Sequence, residues 1–138
     1  MKRESWLPAA PASAPEARAI VRAAASELRL DGSTTWDLML ATTEAVANAV
    51  EHGKPCDARG IYLGVEADDG TIGIEVRDCG CFPLEPRPNK PDQQRGRGMP
   101  IIARIMDKLE VAPSGHITRV RFEKRFAGVG GVATEFES

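Results

Sequence analysis

The sequence predicts a single α/β domain. Two long runs of apolar residues at helical spacing occupy the first part of the chain. Two pairs of alternating runs follow, and a third helical stripe lies between those pairs. At 138 residues the chain can bury one substantial core. A net charge of −2 argues against direct nucleic-acid binding, which usually needs a basic stripe. No apolar run approaches the roughly 20 residues of a membrane span, and the stretch from Met1 to Pro15 lacks the apolar segment of a secretory signal. Cys56, Cys79 and Cys81 are an odd number without a disulfide framework, so a soluble, reducing, cytoplasmic setting is expected. Cys79 and Cys81 as metal or redox ligands is the weaker reading, because no second Cys/His pair has zinc-like spacing.

In chain order, Glu4 to Leu7 suits a short edge strand, closed by the Pro- and Ala-rich stretch from Pro8 to Pro15. A first helix follows, with Ser13 as its N-cap and Pro15 in its first turn. Ala17, Ile20, Val21, Ala24 and Leu28 keep helical spacing until Asp31-Gly32 ends the run. Ser33 or Thr34 then caps the central helix, which stops at Gly53 and Pro55. Ile61, Leu63 and Val65 form one alternating run, and Ile72, Ile74 and Val76 the next, with Asp68-Asp69-Gly70 as the turn. The prolines between Pro83 and Arg95 exclude helix and central strand there, as in a functional lid or a disordered loop. Pro100 marks the start of a third helix, whose stripe is Ile101, Ile102, Ile105 and Met106. Lys108 to Ala112 and Ile117 to Lys124 form a second hairpin, with Leu109 and Val111 set against Thr118, Val120 and Phe122. The domain is expected over residues 1–126, with 127–138 as a flexible tail.

Three places carry candidate chemistry. Glu44, Asn48 and His52 recur every fourth residue, which stacks them along one edge of the central helix. The rest of that helix is apolar over most of its circumference, so it is expected to be buried on most sides. An unpaired polar group there would cost about 1–3 kcal/mol, unless the three follow a solvated seam. Asp78 has the parity of Ile72, Ile74 and Val76. A strand reaching that far points its carboxylate inward; a strand ending at Arg77 leaves Asp78 in a turn with Gly80. Arg95-Gly96-Arg97-Gly98 runs into the third helix, where free amides, the dipole and the arginines suit phosphate, or where the glycines serve a plain turn.

Taken together, Glu-x-x-x-Asn-Ala-x-x-His on a helix, Asp-x-Gly after a strand and Gly-x-Gly before another helix resemble the GHKL ATPase signature. Within that superfamily the chain is similar to the bacterial anti-sigma-factor serine/threonine kinases. The likeness runs from about Ser5 to Phe126 and includes Trp6-Leu7-Pro8 and Met99 to Val111. It implies a two-layer α/β sandwich, with a mixed, mostly antiparallel sheet on one side and the helices on the other. ATP and Mg²⁺ would lie between the central helix, the Asp-x-Gly turn and the lid.

By this resemblance Asp78 would accept from the adenine amino group, and Gly80 would let the backbone approach the base. Asn48 would ligate Mg²⁺, and Glu44 would be the catalytic base. Gly96, Gly98 and the amides near Met99 would hold phosphates, less the amide that Pro100 removes. Arg95 and Arg97 would neutralise charge or remain solvated lid residues. His52 lines the phosphates or serves the helix dipole, and Thr118 lies near the phosphates or is simply packed. The implied activity is phosphorylation of an antagonist (anti-anti-sigma) protein by a chain that also binds a sigma factor, as a homodimer. The alternative is an ATP-binding module that sequesters a partner without transferring phosphate. Neither His52 nor His116 has the context of a phospho-accepting histidine, which excludes a complete histidine kinase.

Overall fold

The computed structural model describes residues 1–80, 93–114 and 117–126, with the side chains of 93–98 and 114 left aside. Among the described residues, five strands and three α-helices make two layers. The strands are β1 (Lys2–Leu7), β2 (Ile61–Ala67), β3 (Thr71–Asp78), β4 (Lys108–Ser114) and β5 (Ile117–Arg125). The helices are α1 (Ser13–Glu27), α2 (Gly32–His52) and α3 (Gln93–Ile105). Sheet order is β1-β2-β3-β5-β4, and every described pair is antiparallel.

Alternation sorts the sheet residues. Ile61, Leu63 and Val65 of β2, Ile72, Ile74 and Val76 of β3, and Phe122 of β5 are buried and form one core with Val21, Leu38, Val46 and Ile102 from the helices. Each such side chain contributes roughly 1.5–3 kcal/mol by leaving water. Ala41, Ala45 and Ala49 are all buried on α2. A stripe of methyl groups lets the helix axis approach its neighbours closely, which brings the polar edge of α2 to the end of β3.

Several local details differ from the sequence reading. Ala12, not Ser13, precedes α1, and the Ser13 hydroxyl donates back to the Pro8 carbonyl. Arg29 takes the left-handed conformation (φ 59°) just beyond the α1 end. The α2 cap is Asp31, whose carboxylate accepts from the Thr34 amide at 2.7 Å. That bond holds the Asp31 carboxyl below its usual range. Asp31 sits one position before Gly32 opens the helix, so Ser33 and Thr34 fall inside the first turn. β1 begins at Lys2 rather than Glu4, and Arg3 can point to the helix side because its guanidinium pairs with Glu27 of α1.

The largest difference concerns α3. It starts at Gln93, inside the stretch the prolines were expected to exclude, and Pro100 lies within it instead of in its first turn. Pro100 cannot donate to the carbonyl four residues back, that of Gly96. With Gly96 and Gly98 also inside, each costing about 1 kcal/mol against alanine, the first half of α3 is intrinsically weak helix. The segment 81–92, with most of the expected lid, lies outside the described residues, as does the tail 127–138.

Among the described residues, no helix covers the other sheet face. Trp6 and Tyr62 meet edge to face at 5.4 Å, with Arg59 over Trp6 and Arg77 over Tyr62. Glu75, 8 % exposed, is bracketed by Arg77 and Arg121. Burial, then the hydrogen bond donated to Glu4 at 2.8 Å and that carboxylate's charge, push the Tyr62 phenol up to about 12. The neutral phenol is thus favoured by the fold. Its contribution to stability is complete below the ordinary value near 10 and is lost as pH rises through about 12. The chain has one tyrosine, so phenolate absorbance reports Tyr62 alone. An alkaline titration of the folded protein is expected to have its midpoint near 12; one near 10 would show the phenol solvated.

Candidate functional site

β3 continues to Asp78, so its parity places the carboxylate on the core side, where the residue is 7 % exposed. Antiparallel pairing sets Asp78 opposite Thr118 of β5, which is 3 % exposed. The chain then turns at Cys79-Gly80. Asp78 Oδ1 accepts from the Gly80 amide at 2.7 Å, and Thr118 Oγ1 donates to the Gly80 carbonyl at 2.8 Å. The turn is thereby fixed from both sides by buried side chains.

The C-terminal end of α2 lies against this turn. A Cβ built on Gly53 would be 2.5 Å from Asp78 Cγ, and one on Gly80 would be 3.0 Å from the Lys54 amide nitrogen. The two glycines make the contact possible, and the Cys79 amide closes it by donating to the Lys54 carbonyl at 2.8 Å.

Between these segments lies an open cleft. Asn48, His52, Asp78, Gly80, Met99 and Thr118 all border it, so six of the residues singled out in the sequence converge. Val76, Val120, Ala45 and Ala49 give it an apolar floor suited to a flat ring. Asn48 Nδ2 is buried and has no hydrogen-bond partner among the described residues. That atom is a donor, so an acceptor on a ligand or a water can satisfy it. His52 ends α2 on the rim, 3.3 Å from Glu51 Oε1.

Among the described side chains, Glu44 does not join them. Glu44 is one turn before Asn48, half-buried, and is not among the residues bordering the cleft. Arg95, Gly96, Arg97 and Gly98 lie in the first turns of α3 by backbone, not in a loop before it. No group of three or more His, Cys, Asp or Glu residues suited to a metal converges among the described residues. Nor is any described helix long and apolar enough to cross a membrane.

Two features escaped the sequence reading. By sequence Gly53 marks only a helix stop, although its place directly after the Glu44–His52 edge is a signal of its role. The second is a correction: Cys56 and Cys79 form a disulfide with Cα atoms 5.0 Å apart, where no disulfide was expected. The cysteines are 23 residues apart in sequence. Only the meeting of the α2 end with the β3 end brings them within bonding reach. Cys81, the odd one, is outside the described residues.

An antiparallel sheet backed by helices, with a small-residue cleft between a helix end and an Asp-x-Gly turn, defines the class. Residues 7–124 match the family described as the histidine kinase-like ATPase domain. The anti-sigma F factor of Clostridium acetobutylicum is 31% identical over 120 residues, covering 80% of this chain and 84% of that protein. The anti-sigma F factor of Clostridium botulinum (strain Alaska E43) is 35% identical over 100 residues, covering 65% of this chain and 70% of its own length. The crystal structure of the RsbU and RsbW domains of Rv1364c from Mycobacterium tuberculosis has the same fold, with a TM-score of 0.74 at 23% identity. That match covers 91% of this chain and 32% of the other. The chain belongs to the GHKL superfamily of histidine kinase-like ATPase domains and, within it, to the bacterial anti-sigma-factor family.

Proposed function

We propose that the chain is an anti-sigma-factor serine/threonine kinase that binds Mg-ATP, phosphorylates an antagonist protein and switches between that antagonist and a sigma factor. The observation that carries the nucleotide reading is the cleft itself: a buried carboxylate, a glycine turn and an asparagine around an apolar floor. Asp78 would accept from the adenine amino group. Guanine presents a carbonyl there, and two acceptors facing each other leave both unsatisfied. Thr118 would act indirectly, by holding the Gly80 carbonyl and so the turn. His52 and Met99 would border the bound nucleotide. Asn48 suits Mg²⁺, which keeps most of its shell as water and phosphate oxygen and needs few protein ligands. When bound, the ion would neutralise phosphate charge.

Glu44 would accept the proton of the incoming hydroxyl at the phosphate end, and the α3 stretch Arg95 to Gly98 would meet the phosphates. The open sheet face and the family suggest a homodimer, and the substrate ATP a cytoplasmic setting. Residues 1–126 would be the working domain. One observation favours the second reading, a binding module without transfer: Glu44 stands outside the cleft lining.

Calorimetric titration tests the nucleotide site. ATP and ADP are expected to bind, and GTP at least about 10²-fold more weakly. Asp78→Asn should lower ATP affinity by about 10–100-fold, the range for losing a charged hydrogen-bond partner. Equal binding of ATP and GTP, or unchanged ATP affinity in the variant, would remove Asp78 from the adenine site.

A further inference from the structure

The Cys56–Cys79 bond joins the two segments that meet at the cleft, and Cys79 stands between Asp78 and Gly80. We propose that these two cysteines are a reversible thiol–disulfide site, exchanging with low-molecular-weight thiols and disulfides, whose state sets the affinity of the cleft for adenine nucleotide. This rests on the cleft being the ATP site.

The two sulfurs are placed differently. Cys56 is 7 % exposed and seated in a tight loop, where its amide donates to the Gly60 carbonyl at 2.7 Å across an antiparallel bridge. Gly60 is itself fixed. It has φ +94°, and a Cβ there would fall 2.1 Å from the Leu7 carbonyl oxygen. Cys79 is on the turn and partly exposed. The bond therefore adds a covalent tie between the Asp-x-Gly turn, which Asp78 and Thr118 already hold on its sheet side, and the anchored loop that leads into β2. Once it opens, one backbone hydrogen bond, Cys79 to Lys54, remains between the turn and the 53–56 linker among the described residues. Lys54 and Pro55 in that linker are exposed.

The exchange balances without a further reagent. A thiolate attacks Cys79 Sγ, forming a mixed disulfide and releasing the Cys56 thiolate. A second thiolate attacks the outer sulfur of that mixed disulfide, releasing Cys79 and a small disulfide. Two small thiols lose two electrons, and the protein cysteines gain them with two protons. Closure runs the same steps backwards with a small disulfide as oxidant. A bond at an ATP site meets the thiols of the compartment in which ATP is used, and there disulfides are transient more often than structural.

Closure holds Asp78 and Gly80 in the geometry described, so the oxidised form should bind nucleotide more tightly by paying less ordering entropy on binding. The test uses the wild-type chain, equilibrated in dithiothreitol or in oxidised glutathione, with the bond mapped by non-reducing peptide mass. ADP is then titrated calorimetrically into each form. Oxidised protein, linked Cys56 to Cys79, is expected to bind ADP about five- to tenfold more tightly than reduced protein. Cys56→Ser should match the reduced form in both buffers, and Cys81→Ser should keep the response. Equal affinities in the two forms would overturn the proposal while leaving the nucleotide site intact. A pairing through Cys81, or a redox response that survives Cys56→Ser, would overturn it too. Absence of ADP binding in both forms would overturn the nucleotide reading, and the proposal with it.

Discussion

Replacing Glu44 by glutamine is expected to slow phosphate transfer to the antagonist by about 10²–10⁴, the usual cost of removing a general base. ATP affinity should stay near wild type. Glutamine keeps the size and hydrogen bonding of the side chain but cannot take the proton of the attacking hydroxyl. Because Glu44 does not border the cleft, its loss has no direct route to nucleotide binding. Asn48→Ala should behave in the opposite way. Asn48 borders the cleft, and its amide oxygen is the atom that would meet Mg²⁺, so its loss should weaken Mg-dependent binding first and transfer only as a consequence. Radiolabelled transfer from ATP to a captured antagonist, with binding measured on the same preparations, separates the two. Wild-type transfer by Glu44→Gln would mean another group takes the proton. No transfer by the wild type to any captured partner would decide for the binding module.

The second large effect is expected at Gly53, a residue without a side chain. A methyl group there would lie 2.5 Å from Asp78 Cγ and 2.7 Å from the Ala49 carbonyl oxygen. Neither neighbour can yield easily. Ala49 belongs to α2 and accepts the Gly53 amide at 3.0 Å, while Asp78 is held by the Gly80 amide at 2.7 Å. The backbone at Gly53 is extended (φ −93°, ψ −166°), so the cost is steric and not conformational. Gly53→Ala should lower ATP affinity at least about tenfold and destabilise the fold by about 1–3 kcal/mol, as overpacking does. Gly32→Ala is the control, since a Cβ at the other end of α2 meets nothing within 4 Å. Calorimetry and urea unfolding on both variants would test this. Wild-type ATP affinity in Gly53→Ala would show that the Asp78 contact is not what positions the site.

Period-two and period-3.6 patterns made most of the layers legible before any coordinates. Ile72, Ile74 and Val76 announce their strand, and Asp78 shares their parity; whether the strand reached it could not be read, because an aspartate before glycine also opens turns. Local chemistry was less legible. Asp31 is the cap in place of Ser33 and Thr34; aspartate and serine cap about equally well, so propensity alone could not choose between them. Sterics make Pro100 a helix boundary, yet α3 extends seven residues before it. Tertiary contacts were not legible at all. The closeness of Gly53 to Asp78, and of Cys56 to Cys79, exists only once β2 and β3 have carried the chain back to the end of α2. The same applies to Tyr62, whose hydrogen bond to Glu4 crosses from β1 to β2.

The pairing of β1 with β2 has a consequence for the chain during its synthesis. Paired residues of the two strands lie 54 (Leu7 with Ile61) to 64 (Lys2 with Glu66) positions apart in sequence, whereas β2 and β3 meet across a short turn. A chain emerging from the ribosome therefore carries β1 as an unmatched strand until both helices and β2 have followed it. Such a strand can template pairing with a second chain, and flat apolar ones do so most readily. Lys2, Arg3 and Glu4 put three consecutive charges at its start, and Pro8 follows its end. Those residues make β1 a poor partner for other nascent chains while it waits for β2.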